Sequence, residues 1–404
     1  MGIKEDGNAT MDFQKSVLKK NQRIIVYGAS IYGELAYYLL EDCNLKPDYY
    51  CDRVVKDSFM GIPVIEPDML AEHRDDWILI ASADYYHELV KNAREVGCRY
   101  IGNLSSLFEK CNVPEEVLSK RAKGYYVNRQ NYIDVTRQRE DKDALNFTRI
   151  QYVVSERCSL KCKDCLHLMQ YYKEPKNIDL DATKDSFDRL LRVADSISEI
   201  RILGGEPFMN RDMYKIIKWW HDNPNISLFR IYTNGVITPT DEIMEYLAYP
   251  KVDVYISDYE INRDKIEKTT REFKKRGIKY YVSPYDGWAD AGDIHYRNHS
   301  IEENIEIFGR CHARNCISFI DGQLHRCPRS AHLMRLGAMP DVKEDYVDIK
   351  GFVGSDEELK QEIRTLQEKT WIEACNYCDG ADLHVPQIPA GIQAKKPLEY
   401  ERCD

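Results

Sequence analysis

A chain of 404 residues, 43% hydrophobic and 31% charged, is too long for one small core and has the balance of a soluble globular protein of two or three domains. Its formal charge of −10 argues against non-specific nucleic-acid binding, which needs a basic footprint. No apolar run approaches a membrane span, the polar start MGIKEDGNATMDFQKS lacks a signal-peptide core, and Asp6 stands where a myristoylation motif needs Ser or Thr, so a cytoplasmic protein with no membrane partner is expected.

In chain order, RIIVYGASIYGELAYYLLED reads as a strand from Arg23 to Gly28, a glycine turn and an amphipathic helix. PDYYCD supplies a second strand ending at Asp52, DDWILIAS a third, YYHELVKNAREVG a helix and CRYIGNL a fourth strand. This alternation predicts a small, mostly parallel, Rossmann-like domain over residues 1–110. Gly28, Ser30 and Gly33, with Asp52 at the next strand end, come close to a dinucleotide fingerprint, but Ser30 stands where a second glycine lets the backbone approach a pyrophosphate. A helix N-terminus there can still hold phosphate. The run YGAS…G, the acidic strand end and GIPVI resemble the small nucleotide-sugar-binding domain of some bacterial sugar acyltransferases. The alternative is a domain kept for packing or partner docking. Residues 111–148, charged and helical in character, read as a connector.

A second alternating series begins at RIQYVVSERC, with strands at ISEIRILGG, LFRIYTNG, VDVYISD and KYYVSP and helical periodicity between them. It predicts a parallel barrel, or part of one, over residues 149–310. After Cys311 the pattern loosens and PQIPAGIQAKKP reads as irregular. In a reducing compartment the 13 cysteines are not a disulfide framework, so clusters among them read first as metal or cofactor ligands. Cys43, Cys51, Cys98 and Cys111 stand alone and read as small core residues, and Cys403 as incidental.

RCSLKCKDC places Cys158, Cys162 and Cys165 at CxxxCxxC directly after a strand. Zinc sites want four ligands, and His167 is too close in sequence to complete this set. Iron–sulfur clusters are held by thiolates, usually four, so three leave one iron open to a substrate or cofactor. Here the sequence resembles the radical S-adenosylmethionine (radical SAM) superfamily over residues 149–310, as a partial (β/α)6 barrel. GGEP, Gly204, Gly205, Glu206 and Pro207, follows a strand about forty residues later, and the resemblance implies that it lines the methionine amino group. YTNG and YISD end the next two strands, and the resemblance implies that Thr233, Asn234, Ser257 and Asp258 contact the cofactor's ribose and carboxylate. The residue before the third cysteine, often aromatic in the family, is Asp164. The implied cofactors are a 4Fe-4S cluster and S-adenosylmethionine, which yield a 5′-deoxyadenosyl radical that abstracts hydrogen.

Downstream lie Cys311, Cys316, Cys327, Cys375 and Cys378, the last two as a CxxC knuckle. ISFIDGQLHR reads as a hairpin on Asp321-Gly322, pairing Ile320 with Gln323 and setting Cys316 opposite Cys327. Residues 311–404 resemble the Twitch form of the SPASM extensions, which hold an auxiliary 4Fe-4S cluster, and family spacing from Gly322 and Cys327 favours Cys311 over Cys316. A structural zinc is the alternative for this group.

The resemblance implies an oxidoreductase that dehydrogenates a C–OH carbon of a carbohydrate, a nucleotide-linked sugar; because such chemistry needs low-potential electrons, flavodoxin or ferredoxin is the expected donor. Twitch enzymes that oxidise aminocyclitol alcohols motivate it. The catalytic base is not identified; Arg201, Arg230 and Tyr232 lie near strand ends. The alternatives are a redox-neutral epimerase or dehydratase, a peptide maturase, and a non-catalytic nucleotide-sugar-binding protein with a structural metal.

Overall fold

Ile24–Tyr27 (β1) is a run of four apolar residues, all buried, which suits only the middle of a parallel sheet covered on both faces. The computed structural model describes residues 22–403 except 84, 128, 139–143, 285–286 and 383–384, in two units, Met1–Ala144 and Leu145–Asp404. In the first, β1 is followed by helix α1 (Ile31–Asp42) and strands β2 (Tyr49–Cys51), β3 (Ser58–Phe59), β4 (Ile62–Ile65), β5 (Trp77–Ile80) and β6 (Tyr100–Asn103). The order is β3-β4-β2-β1-β5-β6, parallel except for β3. Chain order reverses between β1 and β5, the place where open α/β sheets form a crevice.

The segment expected as a connector packs on this unit as far as it is described. Tyr126 and Tyr132, from helices at Lys120–Val127 and Arg129–Gln138, lie in the same core as Leu35 and Trp77, and the Tyr132 hydroxyl donates to Ile80 O at 2.8 Å. Cys51 and Cys98 are buried as expected. Cys43 and Cys111 are not solitary: their sulfurs lie 2.9 Å apart, because the two helix ends that carry them meet.

The second unit holds two short strands, β7 (Asn146–Phe147) and β9 (Ser196–Ile197), which pair with each other. Its main sheet comprises β8 (Ile150–Ser155), β10 (Ile200–Gly204), β11 (Phe229–Thr233), β12 (Val252–Asp258), β13 (Tyr280–Pro284), β15 (Ile317–Ile320), β16 (Gln323–His325) and β17 (Tyr346–Asp348). The order is β13-β12-β11-β10-β8-β15-β16-β17. Five parallel strands fall within residues 149–310. The sixth, β15, comes from the cysteine-rich segment and lies parallel to β8, so that segment completes the sheet. Its sequence, ISFI, is buried throughout and needs such a central place.

Strand alternation divides the second unit's sheet. Tyr152, Ile202, Ile231, Val254 and Phe319 share one apolar core with Phe187, Leu190, Ile217, Ile243 and Phe273 from the covering helices. The neighbouring residues Ser318, Gln151, Arg201, Arg230 and Asp253 stand in register across β15, β8, β10, β11 and β12, a polar row on the other side of the strands. Among the described residues no helix is long and apolar enough to cross a membrane.

Candidate active site

The cysteine loop leaves β8 at Ser155, and the GGEP turn leaves the adjacent β10 at Gly204. Gly205 N donates to Ser155 O at 2.7 Å, and Glu206 N to Arg157 O at 2.8 Å. A Cβ on Gly204, whose φ is +153°, would fall 2.2 Å from Ser155 O. On Gly205 it would fall 2.3 Å from Arg157 O and 2.9 Å from Cys158 Cβ. The paired glycines therefore let one turn lie directly on the other's backbone, a contact no side chain permits.

Glu206 is fully buried and ties this turn to the next strand end. Its carboxylate accepts from Thr233 Oγ1 at 2.8 Å, Asn234 N at 2.9 Å and Phe208 N at 3.2 Å. Burial pushes its carboxyl up to about 7, and those donors oppose the shift. Pro207 opens the short turn that follows. The Asn234 amide donates to Ser159 Oγ at 3.1 Å and reaches Cys158 Sγ at 3.7 Å. Gly204–Pro207, Thr233 and Asn234 are thus gathered on the cysteine loop. Ser257, buried, and Asp258 end β12, where Asp258 accepts from Glu260 N at 2.8 Å within its own loop.

Burial pushes the thiols of Cys158 and Cys165 up and that of Cys162 to about 11, so with nothing bound they stay protonated at neutral pH. Among the described residues no three His, Cys, Asp or Glu side chains form a group round a single ion. Fit to a cluster rests on the donors: three soft thiols on one loop, with amide N–H groups of Asn234 and Gln393 reaching Cys158 and Cys162 sulfurs at 3.7 and 3.2 Å. Soft thiolates and outer N–H donors are what an iron–sulfur centre uses, and its binding would displace the protons. His167 turns away to Gln151 Oε1, 3.1 Å from its Nε2; burial, then Arg201, holds it down to about 4.

The polar row is internally paired. Arg201 meets Glu199 at 2.6 Å, and its guanidinium lies 4.9 Å over the Tyr232 ring. Arg230 is bidentate to Asp253 at 2.6 and 2.7 Å, and Ser318 Oγ donates to Gln151 Oε1 at 3.1 Å. Nearby, the His167 and His332 rings stand 5.8 Å apart, and His332, fully buried, meets the Tyr172 hydroxyl at 2.8 Å through Nδ1 while its Nε2 finds no partner.

In the second cysteine group, Cys311, Cys327, Cys375 and Cys378 lie near enough to influence one another electrostatically. Burial first, then Cys311 and Cys378, pushes the Cys327 thiol to about 12; burial first, then Cys327, Cys378 and Cys311, pushes Cys375 up. The hairpin pairs Ile320 with Gln323 as expected, but its ladder ends at Ser318 with His325. Cys316 lies at the margin, where it acts on Cys311 more weakly than Cys378 does. Arg326 supplies the test of fit here. It is buried, its Nε has no partner, and burial lowers it to about 10 while Cys327 and Cys375 oppose that shift. A buried cation beside the thiols of Cys327, Cys375 and Cys316 calls for the anionic charge that a thiolate-bound centre would bring. Cys165 and Cys327 pack against one shared apolar cluster that includes Cys375.

Asp345 escapes sequence reading because nothing local marks it. Fully buried, it accepts from Glu373 N and Ala374 N, both at 3.1 Å, and so holds the turn that carries Cys375 and Cys378. Asp345→Ala is expected to cost about 2 kcal/mol, read by thermal denaturation, because two buried donors lose their acceptor. Burial raises the Asp345 carboxyl from 3.8 to about 6, so the native state binds its proton more tightly than the unfolded chain. Its stabilisation is full below pH 3.8 and is lost as pH rises through about 6, and Asp345→Asn should flatten the stability profile over that window.

In the first unit, Gly28, at φ +121°, brings its backbone against Ala81 O, where a Cβ would fall at 2.8 Å. Gly33 sits against Gly28 O, 2.3 Å from where its Cβ would be. Asp52 Oδ2 accepts from Ala29 N at 2.8 Å and Oδ1 from Val54 N at 2.8 Å, so this acid braces the crevice loops. Ser30 caps α1 without a side-chain capping bond.

Residues 148–276 match the family described as 4Fe-4S single cluster domain. A GTP 3′,8-cyclase from Clostridium acetobutylicum is 36% identical over 101 residues, 24% of this chain and 31% of that protein. Molybdenum cofactor biosynthesis protein 1 of Drosophila melanogaster is 30% identical over 133 residues, 32% of this chain and 23% of that protein. The chain thus spans less than a third of the length of these two relatives. Among solved structures, BtrN in complex with AdoMet and 2-DOIA is similar at TM-score 0.35 and 13% identity, covering 59% of this chain and 95% of that one. The CxxxCxxC loop, the GGEP turn laid on it and the cluster-family match over the same strands make residues 148–276 a domain of the radical S-adenosylmethionine type, with a 4Fe-4S cluster and S-adenosylmethionine as its cofactors.

Proposed function

We propose that the protein is a radical SAM oxidoreductase that dehydrogenates a C–OH carbon of a carbohydrate, one linked to a nucleotide. The observation that carries this reading is the polar row of Ser318, Gln151, Arg201, Arg230 and Asp253. This row, tied to the cysteine loop by His167 at 3.1 Å from Gln151, suits a substrate rich in hydroxyls better than an apolar one. Cys158, Cys162 and Cys165 would hold the cluster, and Gly204–Pro207, Thr233, Asn234, Ser257 and Asp258 would position S-adenosylmethionine. When bound, that pair supplies one-electron cleavage of a carbon–sulfur bond and a radical able to take hydrogen from unactivated carbon.

Arg201 and Arg230 are each committed to a carboxylate, which makes them fixed hydrogen-bond donors. Tyr232 is pushed up to about 12, chiefly by burial, and keeps its proton at neutral pH. Dehydrogenation removes a hydrogen atom from carbon, a proton from the hydroxyl and one further electron. Cys311, Cys327, Cys375 and Cys378 would hold an auxiliary 4Fe-4S cluster that supplies one-electron accepting capacity, with flavodoxin or ferredoxin as the external donor. The first unit's crevice at Gly28, Ser30, Gly33 and Asp52 would bind nucleotide-linked sugar.

A second reading, radical chemistry on a nucleotide itself, is favoured by the identity to a relative named GTP 3′,8-cyclase. One assay separates the two. Reduced, reconstituted protein is incubated with S-adenosylmethionine and either a panel of nucleotide sugars or GTP, and 5′-deoxyadenosine is followed by mass spectrometry. A nucleotide sugar should stimulate its formation, and deuterium at the oxidised carbon should appear in it. Stimulation by GTP alone would favour the second reading, and no cleavage under strong reduction would end both.

A further inference from the structure

We propose that Gln393 is a positioning residue for the catalytic cluster: the C-terminal strap Ile388–Ala394 holds its side-chain amide against the Cys162 sulfur, where it sets the cluster's reduction potential and retention. The proposal rests on reading Cys158, Cys162 and Cys165 as the cluster clamp.

The strap is anchored at both ends within the second unit. At one end β18 (Ile388–Pro389) pairs antiparallel with β14 (Gly287–Trp288), which follows β13 in the chain. At the other, Cys162 and Gln393 form an antiparallel bridge. Lys163 N donates to Ile392 O at 2.7 Å and Ala394 N to Lys161 O at 2.6 Å, so the strap adds a short strand to the cysteine loop. Between the anchors Gly391, at φ +74°, packs on Tyr259, where a Cβ would fall 2.9 Å from that residue's Cβ. The glycine lets the strap turn at the end of β12 without displacing the Tyr259 ring.

The orientation of the Gln393 amide follows from its partners. Lys161 N needs an acceptor and finds Oε1 at 2.7 Å, while Gly391 O needs a donor and finds Nε2 at 2.6 Å. The nitrogen is thereby fixed, and it reaches Cys162 Sγ at 3.2 Å. The side chain has no idle atom and no freedom to flip. An N–H donor on a ligating sulfur favours the more negative, reduced state of a cluster, because added charge is shared by the thiolates. Removing it should lower the potential and loosen the iron, in the range of about 10- to 100-fold in affinity found for outer partners of metal ligands.

The test uses the reconstituted full chain. Gln393→Leu removes donor and acceptor; Gln393→Glu keeps an acceptor for Lys161 but offers no N–H to the sulfur. Two quantities are read: iron release to a chelator, and the potential of the cluster by redox titration followed by electron paramagnetic resonance. Both variants are expected to release the catalytic iron about tenfold faster or more and to titrate at lower potential, with the second site's iron unchanged. Release rates and potentials equal to wild type in both variants overturn the proposal. Should Gln393→Leu fail to fold, the potential of Gln393→Glu decides alone. A Cys158/Cys162/Cys165→Ala variant run alongside separates this outcome from failure of the underlying reading, since undiminished iron in that variant would remove the clamp itself.

Discussion

Replacing Cys158, Cys162 and Cys165 together by alanine is expected to lower iron from about eight per chain to about four and to abolish cleavage of S-adenosylmethionine. The iron that remains should belong to Cys311, Cys327, Cys375 and Cys378, whose mutual influence and buried neighbour Arg326 mark a second thiolate site. Removing all three thiols is the informative change, because one surviving thiolate leaves a partial clamp that can hold degraded cluster. Iron, sulfide and zinc measured on anaerobically reconstituted protein give the answer. About eight irons falling to about four favours the oxidative mechanism, which needs somewhere for the substrate's last electron to go. About four falling to none, with one zinc retained, would make the second site structural and point to redox-neutral sugar chemistry.

What was legible in the sequence was whatever the chain writes locally. CxxxCxxC, GGEP and the alternation of apolar strands with amphipathic helices are contiguous patterns, and the two-residue turn at Asp321-Gly322 sets the hairpin pairing of Ile320 with Gln323. Contacts between distant segments were not legible. Gln393 reaches Cys162 across 231 positions from a stretch that reads as irregular. Cys43 and Cys111, each plausible as a lone core residue, meet only because two helix ends converge. The polar row shows the same limit more sharply. Gln151, Arg201, Arg230, Asp253 and Ser318 each read as an ordinary polar residue within its strand, and only the register of five strands aligns them. Family spacing favoured Cys311 over Cys316, while hairpin counting favoured Cys316. Tertiary packing, not local spacing, determines which thiols meet: Cys311 feels both Cys378 and Cys316.

Substituting either glycine of the GGEP turn should have the largest effect of any single change outside the cysteines. A methyl group on Gly204 would stand 2.2 Å from Ser155 O and one on Gly205 2.3 Å from Arg157 O, both backbone atoms, so no side-chain rotation relieves the clash. At Gly204 the φ of +153° adds strain of its own. One of the two segments must move, and each candidate for movement carries chemistry. If the cysteine loop shifts, Cys158 leaves its place, since the Gly205 methyl would also approach Cys158 Cβ to 2.9 Å. If the GGEP turn shifts, Glu206 loses its bonds to Thr233 and Asn234, and a fully buried carboxyl is left without the donors that offset its burial. Overpacking of this kind costs about 1–3 kcal/mol even where side chains can adjust, so Gly204→Ala and Gly205→Ala should lower the melting point measurably. Cleavage of S-adenosylmethionine should fall more steeply than stability, because a displacement of about 1 Å at a positioning element can cost about 100-fold in rate. Iron at the second cysteine group, which neither glycine touches, should stay at wild-type level. Wild-type cleavage in either variant would mean that the turn yields without moving the cofactor site, and that the close approach of these two backbones serves packing alone.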